Sequence, residues 1–133
     1  MSEHELADDV RTLIANHITS VEQLEILLLL RGQPDVEFGV QKVADEIRTS
    51  ERSAAARLED LRARGLVSSR SDGAATVYRY QPASEWLRRA VEHLAAAYAE
   101  RRFTVIELIF AKPIEKLRIY ADAFRFRKDD PDG

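Results

Sequence analysis

At 133 residues the chain has the length of one domain, enough for a single core of ordinary size and not for two independent ones. Hydrophobic residues make up 45% and charged residues 32%, which excludes general disorder, and the absence of cysteine excludes disulfides, thiol nucleophiles and thiolate metal sites together. The net charge of −3 is unevenly spread: residues 1–39 carry two basic and eight acidic residues, residues 40–81 eight and six, and residues 82–133 ten and nine. Acidity is concentrated at the front, so the overall sign does not exclude a nucleic-acid partner for the middle of the chain.

The first segment, ELADDVRTLIANHI, sets Leu6, Val10, Leu13, Ile14 and His17 at three- and four-residue steps and reads as an amphipathic helix. Ser20 with Gln23 forms a capping-box pattern that opens the next helix, VEQLEILLLLRG. Its apolar run is cut off by Arg31 and Gly32, far short of the roughly 20 residues that span a bilayer, and predicts a core helix. The opening MSEHELADD lacks a basic start followed by an apolar stretch, so no secretory signal and no membrane are expected, and a cytoplasmic location is.

QPDVEFG has the proline, aspartate and glycine of a loop, and GVQKVADEIRT reads as a short helix with Val40, Val43, Ala44 and Ile47 inward. Ser50 is a good N-cap for the helix that follows, because its hydroxyl can accept from a free N–H of the first turn. In that helix Ala54, Leu58 and Leu61 share one face and Gly65 ends the run, while Arg52, Ser53, Ala55, Ala56, Arg57 and Glu59 face outward. After Gly65 the period changes from helix to strand. LVSSRS, the turn residues DGAA, and TVYRYQ predict a hairpin in which Val77 and Arg79 alternate against Tyr78 and Tyr80.

Ser84 and Glu85 begin a long run, SEWLRRAVEHLAAAYAERRFTVIELIFAK. In it Leu87, Val91, Leu94, Tyr98, Arg101, Val105 and Leu108 step by four and three, a heptad seam broken only at Arg101. FTVIELIF, with its β-branched and aromatic residues, also suits a strand, but continuity with the seam favours a helix. Pro113 suits the first turn of a final helix, PIEKLRIYADAFRFR, with Ile114, Leu117, Tyr120, Ala121 and Phe124 on one side. The seam predicts a symmetric homodimer through Leu87, Val91, Leu94, Tyr98, Val105 and Leu108; otherwise the N-terminal or final helix folds back over it within one chain.

Helix, helix, tight turn, helix and hairpin is the order of a winged helix-turn-helix. From Val40 to Pro82 the chain resembles the winged-helix core of bacterial transcriptional regulators of the MarR and ArsR kind. The resemblance lies in the apolar second helix, the serine-capped third helix ending in leucine, charged residues and Gly-Leu-Val, and the wing closing on Tyr-x-Tyr-x-Pro. It covers about a third of the chain. Together with the periodicities on either side it predicts a mainly α fold with a small β-hairpin: an N-terminal helix in residues 1–18, a winged helix-turn-helix domain in 20–82, a C-terminal helical dimerisation region in 84–127 and a flexible tail in 128–133. The resemblance also implies that the third helix, 51–64, enters the major groove of double-stranded DNA and that the wing, 66–81, touches the backbone. By position Arg52, Ser53, Ala56 and Arg57 then face bases or phosphates, with Arg70 and Arg79 on the wing and Gln41 and Lys42 adding phosphate contacts.

The chemistry agrees with that assignment. Arginine bonds two acceptors on guanine or grips phosphate, serine is a short phosphate donor, and a helix N-terminus at Ser50 favours an anion. Glu51 and Glu59 repel phosphate and two alanines read little, so a winged-helix protein-interaction module without DNA binding is the competing expectation. Catalysis is not expected: His4, His17 and His93 have no ligand-like spacing, there is no glycine-rich phosphate loop, and no metal or cofactor is called for. Trp86, Tyr98 and Phe103 supply aromatic surface where a small-molecule effector could sit between core and C-terminal helices; a protein effector is the alternative.

Overall fold

The computed structural model describes residues 6–111. The described residues form six helices and a small antiparallel sheet: α1 (Asp8–His17), α2 (Val21–Gly32), β1 (Phe38–Gly39), α3 (Val40–Ile47), α4 (Glu51–Ala63), β2 (Val67–Asp72), β3 (Ala75–Tyr80), α5 (Glu85–Glu100) and α6 (Arg102–Phe110). None of these helices is long and apolar enough to cross a membrane.

Serine caps open three of the helices where the sequence places them. The Gln23 N–H donates to Ser20 Oγ at 3.0 Å, the Ser53 N–H to Ser50 Oγ at 3.0 Å, and the Leu87 N–H to Ser84 Oγ at 3.1 Å. The capping box at Ser20 is altered in its second half: the Gln23 amide oxygen accepts from the Thr19 N–H at 2.7 Å instead of reaching the cap residue itself. α4 ends on Gly65 at φ 78°, with the Leu66 N–H bonded to the Leu61 carbonyl and the Gly65 N–H to that of Arg62. Gly65 is also where the chain crosses itself, since its carbonyl accepts from the Ala83 N–H at 2.8 Å and a Cβ here would lie 3.3 Å from that of Ala83. Both the backbone angle and the close approach require glycine.

The hairpin forms where expected, but with Val67 opposite Tyr80 and Asp72 opposite Ala75 its strands take in the outer two of the four expected turn residues, so the turn proper is Gly73–Ala74 with Gly73 at φ 68°. Tyr78 and Tyr80 point inward and Arg79 outward. The segment QPDVEFG is not all loop: Phe38 and Gly39 form β1, which pairs with Tyr78 and Val77 and gives the sheet order β1-β3-β2. The fully buried Phe38 ring anchors this third strand, and a two-residue strand leaves no alternation to read in the sequence.

The core joins Val10, Leu13 and Ile14 of α1, Leu24, Leu27 and Leu30 of α2, Leu58 and Leu61 of α4, and Val91, Leu94 and Val105 of the last helices. Each such side chain contributes about 1.5–3 kcal/mol on leaving water. The C-terminal run is not one straight helix. Arg101 adopts φ −134°, ψ 56°, α5 stops at Glu100, and α6 starts afresh at Arg102, so residues 103–110 are helical but set at a break. The break falls at the one charged seam position, and beyond it α6 packs against α1 with Val105 and Ile109 buried. Residues 112–133, including the expected final helix and the tail, lie outside the described residues, as does His4.

The seam is accordingly used within the chain. Val91, Leu94 and Val105 are completely buried by the fold itself, and Leu87, Tyr98 and Leu108 pack partly buried against the same cluster. The first three are covered within the single chain, where α1 packs against α5. A heptad stripe looks the same whether another chain or the chain's own α1 covers it.

Candidate nucleic-acid interface

α4 is divided lengthwise into faces with different fates. Ala54, Leu58 and Leu61 seat it on the core. A second stripe, Ser53, Arg57, Asp60 and Arg64, is half-buried and bonded to the start of α2 and the end of α1. Ser53 Oγ donates to Glu22 Oε1 at 2.5 Å and Arg57 Nε to the same oxygen at 2.9 Å. Asp60 Oδ2 accepts from Gln23 Nε2 at 2.7 Å, and Arg64 Nη1 donates to the Asn16 carbonyl at 2.8 Å. A third stripe stays in solvent: Arg52, Ala56, Glu59 and Ala63, at the spacing of one helical ridge. Glu59 is held by the Tyr78 hydroxyl at 2.7 Å and by Arg62 at 3.0 Å, so its charge is steadied beside the wing. Arg52 is exposed, with no hydrogen-bond or ion-pair partner among the described residues.

Glu22 is the electrostatic centre of this bonded flank. The Ser53 hydroxyl, then Thr49, then the Arg57 guanidinium hold its carboxyl down to about 2 from the ordinary 4.5. A carboxyl whose folded value lies below its unfolded one stabilises the fold above the unfolded value and loses that contribution as pH falls. Stability should therefore drop between pH 4.5 and about 2, by about 1 kcal/mol once solvent screening is allowed for. Urea midpoints across that range should show the drop, and Glu22→Gln should flatten it; an unchanged slope in the variant would assign the acid transition to other carboxylates.

The turn into α4 carries a cation that the sequence reading did not include. Arg48 closes α3 in the left-handed region, at φ 65° and ψ 51°, and stands exposed beside the Ser50 cap. The signal is its place just before Thr-Ser, where a helix-turn-helix pivots. Gln41 and Lys42 are exposed in the first turn of α3, with Lys42 Nζ 5.1 Å from the centre of the Phe38 ring. On the wing, Arg70 pairs across from Val77 and Arg79 across from Ser68, which puts both arginines on one face of the hairpin. Arg70 is engaged bidentately by Glu37 at 2.6 and 2.8 Å, whereas Arg79 reaches only Gln81, at 3.5 Å.

The fold thus brings Arg52 and Ala56 to an open ridge, groups Arg70 and Arg79 on the wing, and leaves Gln41, Lys42 and Ser50 exposed. Ser53 and Arg57 face α2 in place of the outside. The aromatics considered for an effector separate: the Tyr98 hydroxyl donates to Glu25 at 3.0 Å, while Trp86 and Phe103 are exposed.

The fold is a winged helix-turn-helix. No protein-family model matches the chain, and no curated protein matches it. Solved structures do. A possible transcriptional regulatory protein from Mycobacterium bovis (fragment 1–100) is 27% identical with a TM-score of 0.52, over 70% of this chain and 94% of that one. A solution structure from the same organism, described as a homodimeric winged helix-turn-helix DNA-binding domain of a possible ArsR-family regulator, gives 24% and 0.53 over 76% and 93%. MepR of Staphylococcus aureus, a transcription regulator of a multidrug efflux pump, is 11% identical with a TM-score of 0.52 over 90% of each chain, and a mutant of it is known bound to an oligodeoxyribonucleotide. All three are described as transcription regulators, two of them as possible ones, and one as a winged helix-turn-helix DNA-binding domain.

Proposed function

We propose that the chain is a DNA-binding transcriptional regulator that lays α4 in the major groove and the wing on the backbone, and acts as a homodimer. The observation that carries this reading is the serine-capped α4 whose Arg52–Ala56 ridge stays open beside the exposed Arg48, on the fold that the neighbouring regulators share. Arg52 is the base or phosphate contact near the helix N-terminus, and Ala56 is small enough for close approach to a thymine methyl. Arg79 grips the backbone from the wing. Two subunits present two such helices, so the preferred site is an inverted repeat with half-sites about 10 base pairs apart. The second copy is met through α6, where Phe103 and Phe110 are 81% and 69% exposed on one face, the two most exposed large apolar side chains among the described residues. A small-molecule or protein effector remains compatible with this arrangement.

Fluorescence anisotropy with the protein's own upstream DNA and a scrambled duplex, at low and near-physiological salt, tests the reading. Arg52→Ala is expected to cost about 1–3 kcal/mol on the specific site and to narrow the gap to scrambled DNA, while Arg79→Ala weakens both about equally. Absence of binding to either duplex at low salt would sink the regulator reading. The alternative, a protein-interaction module, is favoured by one specific observation: carboxylates occupy Ser53, Arg57 and Arg70, and Asp45, Glu46 and Glu51 stand exposed around the ridge.

A further inference from the structure

The flank of α4 that faces α2 holds a donor set of the kind that grips phosphate: a serine hydroxyl and an arginine one turn apart, close to a capped helix N-terminus. In this fold both donors converge on a single carboxylate oxygen, Glu22 Oε1, which comes from a different helix. Glu22 lies in the first turn of α2, where its charge is favoured by that helix's own N-terminus, so it is fixed from both sides. It is also accessible: the side chains of Arg57 and Glu22 are 37% and 27% exposed, and the pair lies at the surface, not under the core.

We infer that Glu22 is an internal stand-in for a DNA phosphate, occupying Ser53 and Arg57 so that a backbone phosphate must displace it before this flank of α4 can contribute to binding. The inference rests on the DNA-binding reading above and concerns how that site is regulated. An arginine already neutralised by a carboxylate condenses little phosphate charge, and a carboxylate left behind 2.9 Å away repels an incoming phosphate. The consequence is a reading head whose sequence-independent grip is held down while Arg52, outside the clamp, keeps its full charge. Phosphate contacts supply affinity without sequence information, so weakening them raises the share of binding that depends on base contacts. Glu22 is in this sense a specificity-determining residue that touches no base.

The test uses the full chain and a random-sequence duplex, with binding followed against salt. Glu22→Gln keeps the size and one acceptor oxygen and removes the charge, the second oxygen becoming an amide NH2. It should tighten binding to random DNA at low salt by about three- to tenfold and steepen the plot of log affinity against log salt by about 1 per arginine freed. Adding Arg57→Ala to that variant should return both affinity and slope to the wild-type values. Arg57→Ala alone, in the presence of Glu22, should leave the slope unchanged, and this variant keeps the test alive if the Glu22 variant folds poorly. Equal affinity and slope in wild type and Glu22→Gln would overturn the inference, and so would weaker binding by the variant, which would instead make Glu22 a residue that orients Arg57 for DNA. If no variant binds duplex DNA at low salt, the regulator reading falls and takes the inference with it, so the two failures are distinguishable.

Discussion

Replacing Leu94 with aspartate is expected to abolish cooperative folding, whereas Phe103→Asp is expected to leave a folded chain that no longer pairs. Leu94 is completely buried in the cluster that joins α1 to α5, and truncating such a leucine to alanine alone costs about 2–5 kcal/mol. Aspartate adds an unpaired charge in an apolar surrounding, and the total approaches the roughly 5–15 kcal/mol that holds a domain of this size together. Phe103 is exposed on α6, so a charge there removes nothing from the core. Thermal unfolding by circular dichroism separates folding from pairing, and light scattering during gel filtration should show about twice the chain mass for the wild type and the single-chain mass for Phe103→Asp. A Leu94→Asp chain that melts cooperatively as a monomer would put the seam between subunits after all.

Gln23→Leu is the second large effect. Gln23 is the one fully buried polar side chain among the described residues, and its amide makes three bonds: from the Thr19 N–H at 2.7 Å, to Asp60 at 2.7 Å and to the His17 carbonyl at 3.1 Å. Leucine fills the same space and takes away one bond each from the Thr19 N–H, the His17 carbonyl and Asp60 Oδ2, the last of which keeps the Thr19 hydroxyl at 3.3 Å. Buried groups left without partners cost about 1–3 kcal/mol each, so a loss of about 3 kcal/mol is expected after partial relaxation. Urea denaturation measures it directly. A loss below about 1 kcal/mol would mean that water replaces the amide and that the network carries little.

How much of this could be read from the chain alone depended on the reach of each signal. The ends of α4 were legible because Ser50 and Gly65 act on neighbours within a turn, and the wing because Tyr78 and Tyr80 alternate with Arg79. β1 was not, since Phe38 and Gly39 take strand geometry only by pairing with β3, some 40 positions on. The fate of the heptad stripe depends on α1, at the other end of the chain. The candidate site divides in the same way. A helical wheel separates the core face of α4 from the rest, and so put Arg52, Ser53, Ala56 and Arg57 together on the outside. It cannot tell the ridge from the flank, because that distinction is made by Glu22, 31 positions before Ser53.

The stripe Ser53, Arg57, Asp60 and Arg64 fixes the angular setting of α4 as teeth fix a gear. One inserted residue midway would turn everything after it by about 100° and carry Asp60 and Arg64 away from Gln23 and Asn16. Exchange of side chains at Arg52 or Ala56 disturbs none of these contacts. The helix is therefore open to substitution and closed to insertion, so that new sequence preferences can be installed on its ridge one side chain at a time without re-engineering the frame that aims it.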